Sequence, residues 1–438
     1  MEYSISRNPT RDMTRDTMIV FVFLVTIGFP GNLELIIGSS VGMLLEYGAF
    51  VAEMAVMVIY SGDNLLDFKI IQVKRQNVVI YLTILLIFTE TIAVANEKAA
   101  SFITVFRFAI LALFGLWMSD HFDLEAVLKY ILTAQLLYVF FTFVFLALKP
   151  GSAFYSTGSA SNALRGLEAT KNTCGSHFSC FIILESLYLK IKADKKAYIH
   201  PYYILFLVLQ FMLLLLCKAT GSIICAAIAL FFIFRLSGHR IPIGWIYCLV
   251  NVGWILFALY MLPLIAPLLE AVGKDATLTG RTDIWNAAVT LMMSRNTFTG
   301  FGFGRFWVEP QSYTLIQSMF NENAFWANVT AGAHNMLLEL WLNIGILGIA
   351  LMFLMIIVST RKIRELKAGP YLFITCMLFY LLISGLTERI FSNSDYKTLL
   401  FFYAMALGCD RPVKQDHLFS WQRERLAALE AQRQQESA

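Results

Sequence analysis

The feature that most limits how this chain can fold is the recurrence, along its whole length, of apolar runs about as long as a bilayer is thick. A hydrocarbon core needs roughly 20 mostly apolar residues in helical form, because a helix satisfies its own backbone polar groups in lipid. Such runs occur at 18–37, 40–60, 77–95, 102–119, 127–148, 173–190, 201–217, 219–236, 243–268, 335–359, 371–387 and 395–409. Hydrophobic residues make up 58% of the 438 and charged residues 15%, well below the roughly 25% of soluble domains. The expected fold class is all-α: a polytopic membrane protein of about 12 transmembrane helices.

The basic residues test this topology independently, since Lys and Arg near span ends are retained on the cytoplasmic side. With both termini cytoplasmic, the inner segments collect Arg7, Arg11 and Arg15; Lys69, Lys74 and Arg75; Lys190, Lys192, Lys195 and Lys196; Arg235 and Arg240; then Arg361, Lys362, Arg364 and Lys367. The connection 120–126 departs from the pattern, holding Asp120, Asp123 and Glu125 without Lys or Arg. No small-residue cleavage site follows the first run and Pro30-Gly31 interrupts it, which predicts an uncleaved first span. The net charge of +4 is explained by topology, and no nucleic-acid partner is expected. Seven cysteines without a C-x-x-C spacing predict small buried hydrophobes.

The chain divides into four regions. Residues 1–268 form an N-terminal transmembrane bundle of about nine spans. Residues 269–334 are a large loop facing away from the cytoplasm, 335–409 are three C-terminal transmembrane helices, and 410–438 are a cytoplasmic tail. Within the loop, Thr282-Asp283 can cap a helix on which Ile284, Ala287, Ala288 and Leu291 share a face, predicting an amphipathic helix at the membrane surface. The stretch Gly300-Phe301-Gly302-Phe303-Gly304-Arg305-Phe306-Trp307 then combines glycines that permit a tight backbone with aromatics suited to the interface.

Basic residues on the outer side run against topology. Lys149, Arg165, Lys171, Lys218, Lys274, Arg281, Arg295 and Arg305 lie in or beside the outer segments, and Arg107 falls within a span. One reading is a positive cavity for a phosphate-bearing ligand; the other is snorkelling to headgroups or pairing with Asp283, Glu309 or Glu388. His334 stands where the loop enters a span, and its imidazole can take a proton from a sugar hydroxyl near neutral pH. Glu339 can support that imidazole if the helix entrance is irregular, and Glu388 with Arg389 can form an ion pair or complete the cavity. There is no Walker loop, no H-E-x-x-H helix and no G-x-S-x-G elbow, so neither ATP, a metal nor another cofactor is expected.

Several motifs, in order, resemble the bacterial O-antigen ligase and Wzy-type polysaccharide polymerase superfamily. His334-Asn335 followed by Gly345-Ile346-Leu347-Gly348 looks like its His-Asn and Gly-x-x-Gly pattern. Leu278 to Trp285 with the glycine–aromatic block is similar to rhizobial exopolysaccharide polymerases of the succinoglycan type, and Arg165-Gly166 with Lys171-Asn172 resembles a third block. Two places depart from the pattern: Lys218-Ala219-Thr220-Gly221-Ser222 stands for a serine-rich signature, and Leu167-Glu168 for an expected aromatic.

The resemblance implies a transferase architecture of the GT-C kind in the bacterial inner membrane. Its reaction would be metal-independent transfer of glycan from undecaprenyl-diphosphate-linked oligosaccharide, with membrane lipid, a chain-length regulator and a flippase as partners. His334 would activate the acceptor hydroxyl and act with Arg281. Arg165, Lys171, Arg305, Arg107 and Lys218 would hold the diphosphate, with Glu339, Glu388 and Arg389 in support. A polymerase is favoured over a ligase to lipid A core, with a flippase as the rival from another class.

Overall fold

The computed structural model describes residues 9–28, 39–60, 77–155, 162–236, 241–261, 264, 281–308, 314, 332–388 and 395–409. Its described residues build an all-α polytopic membrane protein. In chain order the helices are α1 (Pro9–Thr26), α2 (Ser39–Tyr60), α3 (Val78–Val94), α4 (Lys98–His121), α5 (Leu124–Leu148), a single turn α6 (Pro150–Ala153), α7 (Lys171–Asp194), α8 (Pro201–Leu216), α9 (Thr220–Phe231), α10 (Ile243–Leu256), α11 (Arg281–Leu291), α12 (Met336–Thr360), α13 (Ala368–Gly385) and α14 (Tyr396–Cys409). Every apolar run read from the sequence overlaps one of them. Six helices are long and apolar enough to cross a membrane, among them Leu124–Leu148 and Met336–Glu365, and several shorter apolar helices join them.

Local chemistry sets the boundaries. Asp123, Thr170 and Asn335 start α5, α7 and α12 by accepting hydrogen bonds from the backbone of Ala126, Thr173 and Leu338. The first helix begins at Pro9, earlier than its apolar run, because Arg15 is neutralised within it by Asp12 at 3.1 Å and Asp16 at 2.9 Å. α4 packs along α14, α7 along α8 and α9, and α12 along α3 and α14, around one large apolar core. Of the cysteines, all but Cys409 are buried, and none of the seven is in a disulfide.

The acidic connection 120–126 finds its explanation here. Glu125 is ion-paired with Lys192 and, at 2.8 Å, with Lys195. The basic end of α7 and the acidic α4–α5 turn therefore lie at one end of the bundle and offset each other's charge.

At the opposite end of the bundle, two features fix the local backbone. α11 begins at Arg281, so Thr282 and Asp283 stand inside its first turn and not ahead of it. Its face of Ile284, Ala287, Ala288 and Leu291, joined by the fully buried Trp285, packs in a second apolar core with Ile255, Ala258, Leu338 and Leu342 from the ends of α10 and α12. The amphipathic face predicted for the membrane surface is spent on protein.

The second feature is a break in α12 at Gly345, whose φ of 62° and ψ of −174° only glycine adopts without strain. The freed backbone groups are met by the stretch after α11: Ile346 N donates to Thr297 O, Leu347 N to Phe298 O, Phe301 N to Leu342 O and Gly302 N to Asn343 O, at 2.8 to 3.3 Å. A Cβ at Gly345 would stand 2.1 Å from Phe298 O, so the approach excludes any side chain. Polar backbone at such depth is tolerated where protein covers it. The glycines of the block serve this docking.

Candidate active site

Four segments distant in sequence meet at Glu388, just past the end of α13. Arg281, the first residue of α11, donates from Nη2 to Glu388 Oε1 at 3.1 Å, and Asn172, in the first turn of α7, donates from Nδ2 to the same oxygen at 3.2 Å. His334 Nδ1 lies 3.5 Å from Glu388 Oε2, an ion-pair separation longer than a formed hydrogen bond. The side chains of His334, Glu388 and Arg281 keep 36%, 28% and 21% of their exposure, so a ligand can reach all three.

His334 owes its position to its neighbours. Its φ is +48°, a left-handed conformation uncommon outside glycine that persists where the surroundings over-determine it. Ala333 is held on both backbone groups: its N–H donates to Glu339 Oε2 at 2.9 Å, and its carbonyl accepts from Trp285 Nε1 at 2.8 Å. On the other side Asn335 caps α12 and donates from Nδ2 to the Leu386 carbonyl at 3.1 Å. That carbonyl also accepts from Trp254 Nε1 at 3.0 Å. Trp307 donates to both oxygens of Glu339 at 2.9 and 3.1 Å, which ties the glycine–aromatic block to the histidine. Trp307, in the block whose aromatics were expected at the lipid interface, is turned inward and clamps this region together with Trp254 and Trp285.

A second group lies beside the first. Arg165 donates from Nε to the Ser152 carbonyl at 2.6 Å and stacks over the Tyr155 ring at 5.7 Å. The Tyr155 hydroxyl accepts from the backbone N–H of Lys171 at 3.3 Å. Tyr155 thus gathers Arg165 and Lys171, and Asn172, next in the chain, carries the group to Glu388.

Other residues expected at the site stand elsewhere. Arg305, nearly buried, pairs with Glu97 at 2.5 Å across the α3–α4 connection, and Arg107 pairs with Glu46 of α2 at 3.1 Å and lies over the Tyr47 ring. Lys218 is exposed in the α8–α9 turn with a φ of +50°. Arg389 and Lys274 fall outside the described residues. Glu339 acts through the backbone before His334.

Sequence reasoning passed over a buried polar cluster just below Glu388. Glu168, at a departure from the family pattern, accepts from Tyr138 OH at 2.8 Å and lies 3.6 Å from His177 Nε2. Burial pushes its carboxyl up to about 8, against the opposing pull of the Tyr138 hydroxyl and the Lys397 charge. Lys397 itself, in the first turn of α14, is 7% exposed. A lysine just inside an apolar run was the available signal. Among the described residues, no three His, Cys, Asp or Glu side chains come together as a metal-binding group would require.

Residues 205–353 match the family model of the O-antigen ligase domain. This segment is similar to an O-antigen ligase domain. The matched segment runs from α8 into α12 and contains Arg281, the glycine–aromatic block, His334 and the break at Gly345. Asn172, Glu388 and Lys397 complete the surroundings from outside the matched segment. Members of that family are glycosyltransferase-like enzymes acting on lipid-linked glycans. No curated protein matches the chain.

Proposed function

We propose that the protein is a polymerase that joins undecaprenyl-diphosphate-linked oligosaccharide repeat units at the outer face of the bacterial inner membrane, without a metal. The observation that supports this most is the convergence of His334, Arg281 and Asn172 on Glu388, with Arg165 and Lys171 alongside. The acceptor hydroxyl attacks the anomeric carbon of the donor sugar as the bond to the diphosphate oxygen breaks. His334 takes the hydroxyl proton, and Glu388 balances the imidazolium that results. The diphosphate leaves with the bonding electron pair, stabilised by Arg281, Arg165 and Lys171. Arg305 and Arg107 are left out of this pocket because, among the described residues, they pair with Glu97 and Glu46 on other elements and not with the Glu388 group.

The outer placement rests on the alternation of basic loops, which puts the Glu125 end in the cytoplasm and the Glu388 end outside. The polymerase is preferred to the ligase on the resemblance of the loop stretch to exopolysaccharide polymerases. Purified protein reconstituted with carrier-linked repeat units in the presence of EDTA is expected to extend chains. No chain growth, or strict metal dependence, would overturn the mechanism. In cells, a deletion mutant is expected to retain single repeat units; accumulation of long carrier-linked chains would make the protein a ligase, and loss of carrier translocation a flippase.

A further inference from the structure

Lys397 holds an unusual position for a lysine. It is almost wholly buried among α7, α13 and α14, and no carboxylate among the described residues lies within ion-pair distance of it. Its Nζ donates to Ser176 Oγ at 2.9 Å and lies 5.9 and 5.8 Å from the ring centroids of Tyr380 and Tyr396. The Tyr380 hydroxyl lies 3.0 Å from the Ser176 carbonyl and 2.7 Å from the Ser176 hydroxyl. The Ser176 hydroxyl oxygen and the two tyrosine rings thus surround the Lys397 amino group with a lone pair and π surfaces suited to an ammonium. Other titratable groups around it include the buried thiols of Cys180 and Cys225; His177, bonded to Tyr396; Glu168 beyond it, whose carboxyl burial pushes up to about 8 and which is bonded to Tyr138; and Asp395, engaged in capping α14 through Thr398.

A buried cation without a counter-charge is costly, and inside a membrane bundle it marks function by default. The geometry gives this one a direction. Ser176 is one turn, about 6 Å of rise, from Asn172 on α7, and Tyr380, Ser384 and Glu388 succeed one another at turn spacing along and just past α13. The two rows run from Lys397 up to the Asn172–Glu388 contact. At that contact the charge of Arg281 is offset by Glu388, whereas that of Lys397 is not.

We propose that Lys397 is a positioning residue for the donor's diphosphate, supplying from beneath Glu388 the uncompensated positive charge that favours a more anionic carrier over a less anionic one. This rests on the polyprenyl-diphosphate reading above. A charge one to two helical turns below the site, in low-dielectric surroundings, is little screened by salt, and its effect grows with ligand charge.

The test is binding of undecaprenyl diphosphate, undecaprenyl monophosphate and undecaprenol to the full chain in lipid nanodiscs. Wild type is expected to bind them in that order of strength. Lys397→Met is expected to weaken diphosphate binding about tenfold, monophosphate less and the alcohol not at all, with Lys397→Arg restoring the order. Should Lys397→Met fail to fold, Lys397→Gln carries the same expectation. An undiminished preference for the diphosphate in the uncharged variant, or equal losses for all three ligands, would overturn the role of Lys397 while leaving the donor reading intact. A wild type indifferent to the diphosphate would overturn the reading itself.

Discussion

Two arginines of the long loop, Arg281 and Arg305, are each held by a glutamate, and they end in opposite circumstances. Arg281 and Glu388 both keep part of their exposure, with His334 and Asn172 on the same carboxylate. Arg305 is nearly buried against Glu97, in a segment whose backbone is committed to α3 and α12: Phe303 N donates to Thr91 Oγ1 at 3.0 Å, and Gly304 N to Asn343 Oδ1 at 3.2 Å. An ion pair that is open, shared and adjacent to an imidazole can exchange partners with an incoming anion. One that closes a packed joint cannot do so without undoing the joint. The first half of the loop is therefore chemical and the second half architectural, although both carry an arginine in an aromatic, glycine-containing setting.

Four changes would break or sharpen that division. The largest effect is expected from His334→Ala, which should lower transfer by about 100- to 10,000-fold, the range of a general base, with protein level unchanged. Next, Gly345→Ala should cost at least about 3 kcal/mol of stability by forcing a strained backbone and a clash with Phe298, seen as loss of folded protein on size exclusion. An unaltered thermal transition would deny the joint its importance. Glu388→Gln should reduce turnover about 10- to 100-fold, because an amide offers the imidazolium no counter-charge.

The smallest effect belongs to Glu168, whose carboxyl is held near 8 by burial, above its ordinary 4.5. The fold keeps a proton there that the unfolded chain has lost, so its contribution to stability declines as pH rises between those two values and levels off above the higher one. Thermal stability of Glu168→Gln should accordingly fall less from about pH 5 to pH 8 than that of wild type. Parallel slopes would sink this account.

Much of the architecture was legible in the sequence because lipid enforces it. Apolar runs of bilayer length have little choice but to be helices, and the His-Asn pair announced itself at the mouth of one of them. The site was legible in its residue types more than in its partnerships. Basic residues on the loop side could be counted, but a carboxylate more than 200 positions away decides which remain available: Glu97 claims Arg305, and Glu388 bridges Asn172. Glu339 looked like a partner for the imidazole, while its oxygens are needed by Ala333 and Trp307, contacts that stem from the break at Gly345 and not from helical spacing. Lys397 was hidden inside an apolar run, where only its cost hinted at a purpose.

The division between the two arginines can be measured directly by comparing turnover of Arg281→Ala and Arg305→Ala in the reconstituted system, each corrected for folded protein. The account predicts a loss of at least about 100-fold for Arg281→Ala and less than about tenfold for Arg305→Ala. Equal losses per folded molecule, or the reverse order, would contradict it.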